Sequence, residues 1–395
     1  MKIGYFVSEF PEFDINTMEI CNGRGGGVGY VAYHLAKCMS MRNHEVHVFT
    51  TGDSNDIIKL RDNFFLHTYK SSFTIGQAPI SISLLLKPLA DACDLDIIHC
   101  HIGNLPAPLT GYLLAKKKKI PLIVTHHGCW IDDYGSIPRR ICVMFYKKIL
   151  CPILFDSSNK IIALSNQHLQ GNKELLKNES KVVIIPNGID ISNLSTHVDK
   201  KECKQLLGLP IEGKIMLFVG SFSPSKSLDV LIASMKNILV AEPDSHLVLA
   251  GDGCLKANLV ELSNRLNLSS KIFFIGHVGG EKKRLLFKSA DLFILPSKSE
   301  AFPIVLLEAS SCNLPIVASD INCIKEIVSH KINGLTFKCG DSYDLAEKVI
   351  SCLKNQELSA KLGKRANELV KKFHWNHIAL LNEQLYLSLT IDKRN

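Results

Sequence analysis

The chain has 395 residues, of which 46% are hydrophobic and 21% are charged, and its formal net charge is +8. This length allows two domains with separate cores, and the composition is ordinary for a soluble globular α/β protein. The longest apolar runs are too short to cross a bilayer, and the N-terminus has no charged segment followed by a long apolar one, so we expect a cytoplasmic protein. The modest positive charge fits an anionic substrate or a membrane surface. We find no nucleic-acid-binding motif and expect no nucleic-acid partner.

The cysteines give no sign of a disulfide framework or of a metal site. There are 13 of them, and they form no C-x-x-C pair. We therefore expect reduced cysteines that behave as small hydrophobic residues. Cys100 stands between His99 and His101 in a predicted strand, and alternation along a strand points it away from both histidines.

The first elements in chain order predict a βαβ unit. A strand at residues 1–7 is followed by a polar loop that ends in the glycine run 25–29. An apolar helix pattern and a second strand at residues 43–49 come next, so the loop lies at the sheet edge where α/β proteins bind ligands. Glycines let backbone N–H groups approach a phosphate closely. The G-x-G-x-x-G fingerprint is not met, and a purely structural turn is the alternative.

Two more buried strands are predicted at residues 96–101 and 121–125, and the second ends in T-H-H-G. His127 follows that strand and precedes Gly128, which is a favourable position for a ligand contact in this architecture. A core histidine that bonds to the backbone is the alternative interpretation.

Residues 137–155 interleave apolar and basic side chains. At helical spacing they predict an apolar face with a basic flank, which is typical of helices that lie on anionic lipid. A buried helix whose lysines reach out to water is the alternative. The apolar residues are Ile141, Val143, Phe145, Ile149 and Leu150, and the basic ones are Arg139, Arg140, Lys147 and Lys148.

Predicted strands at residues 160–165 and 181–190 lead up to a turn at residues 186–188. The alternation of strands and helices restarts after this turn, with predicted strands at residues 214–220, 246–253, 271–276, 291–296 and 314–319. From Leu362 the chain is helical, with an interruption at residues 373–375. We predict an N-terminal Rossmann-like domain at 1–190, a C-terminal Rossmann-like domain at 191–373, and a helix at 374–395 that returns to the N-terminal domain.

Residues 299–309 read S-E-A-F-P-I-V-L-L-E-A and follow the predicted strand at 291–296. We expect a helix from Ile304, with Pro303 at its first turn. The N-terminus of that helix favours an anionic ligand such as a diphosphate. Glu308 on the helix could accept hydrogen bonds from a ribose diol, and Glu300 in the loop from a sugar hydroxyl. Two glutamates at this spacing also occur by chance, so the pair alone is a weak signal.

The order of the second-half motifs resembles the retaining GT-B glycosyltransferases of glycosyltransferase family 4. The motifs are Gly220-x5-Lys226, A-G-D-G at 250–253, F-x-G at 274–276, P-S at 296–297 and Glu300-x7-Glu308. The resemblance covers nearly the whole chain and implies two doubly wound α/β domains that face each other across a cleft. It also implies a nucleotide-sugar donor, such as a UDP- or GDP-sugar, held mostly by the C-terminal domain, with the acceptor against the N-terminal domain.

The resemblance assigns roles to individual residues. Lys226 would contact the donor diphosphate, Glu300 the sugar and Glu308 the ribose. His127 matches the T-x-H histidine beside the sugar, and with Lys226 and Glu300 it completes the candidate catalytic set. A solvated loop lysine is the alternative interpretation of Lys226. The other expected donor contacts are Gly27 at the diphosphate, Ser221 in the phosphate loop, Gly276, His277 and Val278 beside the base, and Phe302, Pro303, Ile304 and Val305 around the phosphate and sugar.

Several positions depart from the family pattern. Ser221 stands where an arginine is frequent, and Ser227 where a glycine is usual. Pro303 replaces a frequent glycine and has no N–H to offer. Asn322 and Cys323 replace a Gly-Gly turn. These departures concern donor affinity and donor choice more than the fold.

The resemblance implies a retaining, metal-independent hexosyltransferase. We expect a carbohydrate, lipid or lipid-linked acceptor, and peripheral contact between residues 137–155 and an anionic membrane, on its cytoplasmic face. A nucleotide-sugar epimerase of the same fold and a non-catalytic subunit that has kept the fold are the alternatives. Donor conversion without an acceptor would indicate the first, and the serine at 221 favours the second.

Overall fold

The structure is a computed structural model, and it describes residues 1–13, 20–22, 26–75, 78–90, 94–103, 105–128 and 137–391. The chain divides into two units. The first contains Met1–Gly188 together with the C-terminal segment that starts at Trp375, and the second is Ile189–His374.

The first unit is built on one large sheet with helices on its faces. Its strands are β1 (Lys2–Phe6), β2 (Glu12–Phe13), β3 (Ile20–Asn22), β4 (Glu45–Gly52), β5 (Asp56–Arg61), β6 (Phe64–Lys70), β7 (Phe73–Ile75), β8 (Ala78–Ile80), β9 (Ile97–Ile102), β10 (Leu122–His126), β11 (Lys160–Ala163) and β12 (Val182–Ile184). Its helices before the second unit are α1 (Gly26–Met41), α2 (Ile82–Ala90), α3 (Ala107–Lys118), α4 (Ile137–Phe145), α5 (Cys151–Ser157), α6 (Asn166–Gln170) and α7 (Lys173–Lys177), with a π-helical turn at Tyr146–Leu150 and a 3₁₀ turn at Glu179–Lys181.

The strand order of the large sheet is β12-β11-β10-β9-β1-β4-β6-β5. All neighbours are parallel except β5, which pairs antiparallel with β6. Strands β9 and β10 are buried along their whole length, which explains their nearly continuous apolar sequences. The strand order reverses between β1 and β9, so the loops after these two strands lie at the switch point where doubly wound sheets bind ligands.

The C-terminal helix α16 (Trp375–Ile391) packs against α1 and belongs to the first unit. The hydroxyl of Tyr386 is 2.6 Å from Nδ1 of the buried His99 and 3.1 Å from the hydroxyl of Tyr5. Glu383 on the same helix accepts hydrogen bonds from Arg42, and its other carboxylate oxygen is 2.6 Å from Nε2 of His44. The pKa of Glu383 is lowered, chiefly by its hydrogen bonds with Arg42 and to a smaller extent by His44. These contacts hold the end of the chain to its beginning.

The second unit contains six strands in the part of the chain that the structure describes. They are β13 (Lys214–Val219), β14 (Ser245–Ala250), β15 (Ile272–Gly276), β16 (Leu292–Leu295), β17 (Ile316–Ser319) and β18 (Leu335–Phe337). The helices are α8 (Lys200–Leu206), α9 (Leu228–Ala241), α10 (Lys256–Arg265), α11 (Gly280–Ser289), α12 (Ile304–Ser311), α13 (Asn322–Lys325), α14 (Ser342–Lys354) and α15 (Gln356–Val370), with 3₁₀ turns at Ile191–Leu194, Pro224–Lys226 and Lys371–Phe373.

The sheet of the second unit has the order β15-β14-β13-β16-β17-β18, and all of its pairs are parallel. Counted along the chain this is the order 3-2-1-4-5-6 of the doubly wound dinucleotide-binding fold. The switch point lies between β13 and β16. The loops that follow these two strands, residues 220–226 and 296–303, carry Lys226 and Glu300 and meet at the carboxyl edge.

The structure corrects one detail of the sequence-based prediction and confirms another. Helix α1 begins at Gly26, so Gly26–Gly29 form its first turn rather than the end of a loop; Gly25 lies outside the described residues. A Cβ at Gly29 would lie 2.6 Å from the carbonyl oxygen of Glu9, so the glycine is required where this turn packs on the loop after β1. The predicted orientation of Cys100 is confirmed, because its thiol faces the core while the rings of His99 and His101 stack on each other.

A search of the described helices for a membrane span finds none that is both long enough and apolar enough.

Candidate active site

The centre of the candidate site in the second unit is a contact between the loops after β13 and β16. The backbone N–H of Lys298 donates to the carbonyl oxygen of Ser225 at 2.9 Å, which ties the two loops together. Beside this contact the ammonium of Lys226 forms an ion pair with Oε1 of Glu300, and the hydroxyl of Ser297 donates to the same oxygen at 2.7 Å. The two charged side chains are 17% and 11% exposed, so the pair is accessible to a ligand from one side.

The backbone that carries Lys226 has a strained conformation. Lys226 ends a 3₁₀ turn, and Ser227 follows with φ +47° and ψ +45° as the N-cap of α9. This left-handed region is unfavourable for residues with a Cβ, which gives a physical reason for the glycine that is usual here in the family. The serine therefore keeps the geometry of the lysine loop at a cost of about 1–2 kcal/mol.

The A-G-D-G motif after β14 packs its backbone on the lysine loop. The N–H of Phe222 donates to the carbonyl oxygen of Asp252 at 2.8 Å, and a Cβ at Gly251 would lie 1.8 Å from the carbonyl oxygen of Gly220. No other residue fits at position 251 without moving one of the two loops. The motif thus packs against the lysine loop and holds its backbone in place.

Helix α12 begins beside Glu300. Pro303 is its N-cap, in an extended conformation, and the first helical residues Ile304 and Val305 are half-buried. The first N–H groups of a helix have no intrahelical partner, so those of Ile304 and Val305 are directed towards the carboxyl edge of the sheet. Because Pro303 contributes no N–H, it removes one donor from this position. Phe302 is buried and packs edge-on against Phe373, with ring centroids 5.5 Å apart.

Glu308 lies one turn further along α12 and is buried. Its Oε1 accepts a hydrogen bond from the ammonium of Lys283 on α11 at 2.5 Å, and the side chains are 7% and 23% exposed. The second carboxylate oxygen is left for another donor. Sequence reasoning missed Lys283, because it stands in the basic run of residues 282–284 and only the packing of α11 on α12 distinguishes it.

Residues 276–279 precede α11 and form a strip that is open at Gly276 and His277. Gly276 ends β15, and a Cβ there would meet no atom within 4 Å. His277 is exposed and Val278 is buried.

Ser221, at the frequent arginine position, is exposed and begins a chain of hydroxyl groups through Ser223 to Ser225, with oxygen separations of 3.2 and 3.0 Å. A serine hydroxyl brings hydrogen bonds but no positive charge to this position.

His127 in the first unit follows β10 and belongs to a histidine cluster. Its Nε2 is 3.0 Å from Nδ1 of the buried His101, and the two rings are nearly parallel. Burial lowers the pKa of His127 well below its usual value, and His101 and His168 lower it further. The neighbouring His126 is 2.8 Å from His168, and burial lowers the pKa of His168 to about 4. At neutral pH these rings are therefore uncharged, and each pair is joined by one hydrogen bond between ring nitrogens.

Gly27 lies in the first turn of α1, at the switch point of the first sheet. It is exposed, and a Cβ there would meet no atom within 4 Å. The space around it is open to a ligand. Among the residues that the structure describes, no group of three or more His, Cys, Asp or Glu side chains is arranged to hold a metal ion.

Comparison with known proteins places the chain in a family. The family profile "Glycosyltransferase Family 4" matches residues 25–193, and "Glycosyl transferases group 1" matches residues 199–369, so that together they cover most of the chain. The chain belongs to glycosyltransferase family 4.

Two curated relatives and one solved structure illustrate the similarity. The glycosyltransferase is 26% identical over 382 residues to N-acetyl-alpha-D-glucosaminyl L-malate synthase of Bacillus anthracis, which covers 95% of this chain and 97% of the relative. It is 26% identical to phosphatidyl-myo-inositol mannosyltransferase of Mycobacterium leprae, over 90% and 91% of the two chains. The crystal structure of Anabaena HepE in complex with UDP and glucose aligns with a TM-score of 0.73 at 20% identity, over 98% of this chain and all of the other.

These findings confirm the predicted family, the GT-B fold of two Rossmann-like domains, the glycosyltransferase activity and the nucleotide-sugar substrate class. Within the second unit of the glycosyltransferase, the predicted residues Lys226 and Glu300 are in direct contact, and Glu308 lies on the adjacent helix. Lys226 does not fit the alternative interpretation as a solvated loop lysine, because its side chain is 17% exposed and forms an ion pair with Glu300. No pattern in the sequence predicted the ring contact between His101 and His127.

Proposed function

We propose that this glycosyltransferase is a retaining enzyme whose second unit binds the nucleotide-sugar at the edge between β13 and β16. In this proposal Lys226 binds the diphosphate, Glu300 the transferred sugar and Glu308 the ribose, and residues 276–278 contact the base. The observation that carries it is the direct contact of Lys226 with Glu300 at the switch point, where the charges suited to a diphosphate and to a sugar lie side by side.

The proposed chemistry is electrostatic. As the bond between the anomeric carbon and the diphosphate breaks, negative charge grows on the leaving phosphate, and the Lys226 ammonium and the α12 N-terminus stabilise it. The leaving phosphate oxygen accepts the proton of the acceptor hydroxyl, which attacks from the same face, so the configuration is retained. Glu300 holds the ammonium in the structure, and in this proposal the ammonium turns to the diphosphate when the donor binds.

The first unit would then supply the acceptor side. That His127 lies beside the transferred sugar and that Gly27 approaches the diphosphate remain predictions from the resemblance. The uncharged state of His127 suits a hydrogen bond to a sugar hydroxyl rather than a charge contact with phosphate.

A donor panel tests the proposal. UDP-, GDP- and ADP-sugars are mixed with the purified protein, and thermal shift, nucleotide release and the anomeric configuration of the product are measured. We expect one nucleotide class to raise the melting temperature and to be released only when an acceptor is present, with retention. Conversion of the donor without an acceptor would instead indicate an epimerase, and binding without turnover across acceptors of all classes would indicate a non-catalytic subunit.

We further propose that the acceptor is a lipid or a lipid-linked sugar, and that residues 137–155 hold the enzyme on an anionic membrane. Five large apolar side chains at a spacing of four are exposed there: Ile137 (72%), Ile141 (56%), Phe145 (50%), Ile149 (47%) and Ile153 (40%). A spacing of four drifts by about 40° per step around an α-helix. The π-helical turn between α4 and α5 has more residues per turn, so it offsets the drift and keeps the stripe on one side.

The structure revises which residues form this apolar face. Val143 and Leu150 are buried in the first unit, so they are core residues and not part of the stripe. Arg140 and Lys148 are exposed at its flank, and Arg139 and Lys147 are half-buried. Each cation near an anionic surface contributes about 1 kcal/mol of binding free energy. The mycobacterial relative is a phosphatidyl-myo-inositol mannosyltransferase, which supports the same proposal.

Vesicle sedimentation tests the membrane contact. We expect the enzyme to bind vesicles that contain phosphatidylglycerol and not vesicles of phosphatidylcholine alone, and binding should fall at high salt because the charges are screened. Exchanging Arg139, Arg140, Lys147 and Lys148 for Gln should abolish binding, whereas exchanging the exposed Lys361 and Lys364 of the second unit should not. Failure of the wild type to bind anionic vesicles at low salt would rule out this contact.

A further inference from the structure

The ion pair between Lys283 and Glu308 points to a positioning residue that the family motifs do not include. We propose that Lys283 holds one oxygen of the Glu308 carboxylate so that the other faces the ribose, and that this arrangement makes the enzyme selective for ribonucleotide donors over deoxyribonucleotide ones. The inference rests on the proposed function, in which Glu308 binds the ribose of the donor.

Lys283 lies between two parts of the proposed donor site. It is in the first turn of α11, which begins directly after the open strip at residues 276–279. Its ammonium reaches across to α12 and donates to Oε1 of Glu308 at 2.5 Å. The lysine therefore connects the strip proposed for the base with the carboxylate proposed for the ribose.

The backbone of Glu308 is also held in place. The hydroxyl of Ser311 donates to the carbonyl oxygen of Glu308 at 2.7 Å, one turn further along α12. Cys312 lies beside the pair. The pKa of its thiol is raised to about 11, mainly by burial; Glu308 also raises it, and the Ser311 hydroxyl, Lys283 and Lys288 lower it. The thiol thus stays uncharged, and the ammonium of Lys283 is the charged group that contacts the Glu308 carboxylate.

The chemistry of a carboxylate explains why its orientation matters. An ionised carboxylate has four lone-pair directions on two oxygens, and an ammonium has three donors. With Oε1 fixed by Lys283, Oε2 is set in the one orientation in which it can accept from a ribose hydroxyl. An acceptor that is already oriented loses little freedom on binding, and a ligand without the hydroxyl leaves it unpaired.

A purely structural role for the pair is the competing explanation, and one observation and one general principle weigh against it. The lysine side chain is 23% exposed while its partner is 7% exposed, so the pair is open to a ligand on the lysine side rather than sealed in the core. In addition, a buried ion pair contributes little net stability compared with apolar side chains of the same volume. The pair is therefore better explained by recognition than by stability.

Calorimetry with matched nucleotides tests the proposal. UDP, GDP and ADP are titrated first, and the one that binds is compared with its 2′-deoxy and 3′-deoxy forms. We expect the wild type to bind the ribonucleotide about tenfold more tightly, or better, than at least one deoxy form, the effect of one charge-assisted hydrogen bond. In Lys283→Met that preference should fall to about twofold or less. The affinity for the ribonucleotide should fall, and the affinity for the deoxy forms should stay unchanged.

Two further variants separate positioning from folding. Lys283→Arg keeps the charge and the reach of the side chain and should restore most of the preference. Lys283→Gln keeps one hydrogen-bond donor and replaces the methionine variant if that one does not fold. Lys282→Met, at the exposed neighbouring lysine of the same helix, is the matched control and should leave the preference unchanged.

The outcomes distinguish this inference from the proposed function. If the wild type binds none of the three diphosphates, the proposed donor site fails and the inference fails with it. If a diphosphate binds but the preference for ribose is absent, or persists undiminished in Lys283→Met and Lys283→Gln, the role of Lys283 is refuted while the donor site stands.

Discussion

Replacing Lys226 with alanine should lower the rate of sugar transfer by about 10²- to 10³-fold, because a preorganised charge at the leaving group contributes that much to catalysis. The effect should be large here because Ser221 brings no second charge to the phosphate loop. Lys226→Arg should recover part of the rate, since the guanidinium keeps the charge in a different geometry. The measurement is kcat/KM for the donor with a fixed acceptor.

Two comparisons make the Lys226 prediction specific. Lys298 lies two residues before Glu300 on the same edge and is exposed, so Lys298→Ala should keep transfer close to the wild-type rate. In Lys226→Ala/Glu300→Gln the loss should be smaller than the product of the two single losses, because the residues are in contact and act on one donor. A single alanine variant with nearly normal transfer would show that Lys226 is not the diphosphate ligand.

Exchanging Glu300 for glutamine should mainly lower turnover, whereas exchanging Glu308 for glutamine should mainly weaken diphosphate binding. Glu300→Gln should lower transfer by roughly 10²-fold, as expected for a lost transition-state hydrogen bond acceptor. It should leave the affinity for the free nucleoside diphosphate unchanged or slightly higher, because Lys226 no longer has to leave an ion pair with Glu300. Glu308→Gln should weaken diphosphate binding by about tenfold, since a charge-assisted bond to the ribose becomes a neutral one.

Calorimetry and steady-state kinetics on the same protein preparations test this division of roles. The glutamine variants are isosteric with glutamate, so a difference between them reports on position and not on side-chain volume. Equal losses of diphosphate affinity in the two variants would contradict the separate assignments to sugar and ribose. A loss of affinity in Glu300→Gln that exceeds the loss in Glu308→Gln would reverse them.

Much of the fold was predictable because buried parallel strands have continuous apolar sequences. The runs at residues 214–220 and 291–296 predict strands that the structure places at β13 and β16, and Glu300 follows the second run at the carboxyl edge. The sequence analysis made no strand prediction for β2, β3, β5 to β8 or β18. Strand β5 lies at the edge of its sheet with mostly exposed, partly charged residues, and β18 has three residues, so neither carries a long apolar run.

The sequence alone determined most of the buried parallel strands and which motif residues follow them at the carboxyl edge, because apolar runs and chain order specify both. Only the tertiary structure decided which of those residues are partners. Nothing local distinguishes Lys283 from Lys282, or shows that Lys226 is held by Glu300. The same holds for the stripe on α4 and α5, where Val143 turns inward and Ile141 outward. Side-chain pairing depends on distances between elements far apart in the chain, and burial depends on what packs against each face; neither is encoded in the local pattern of residues.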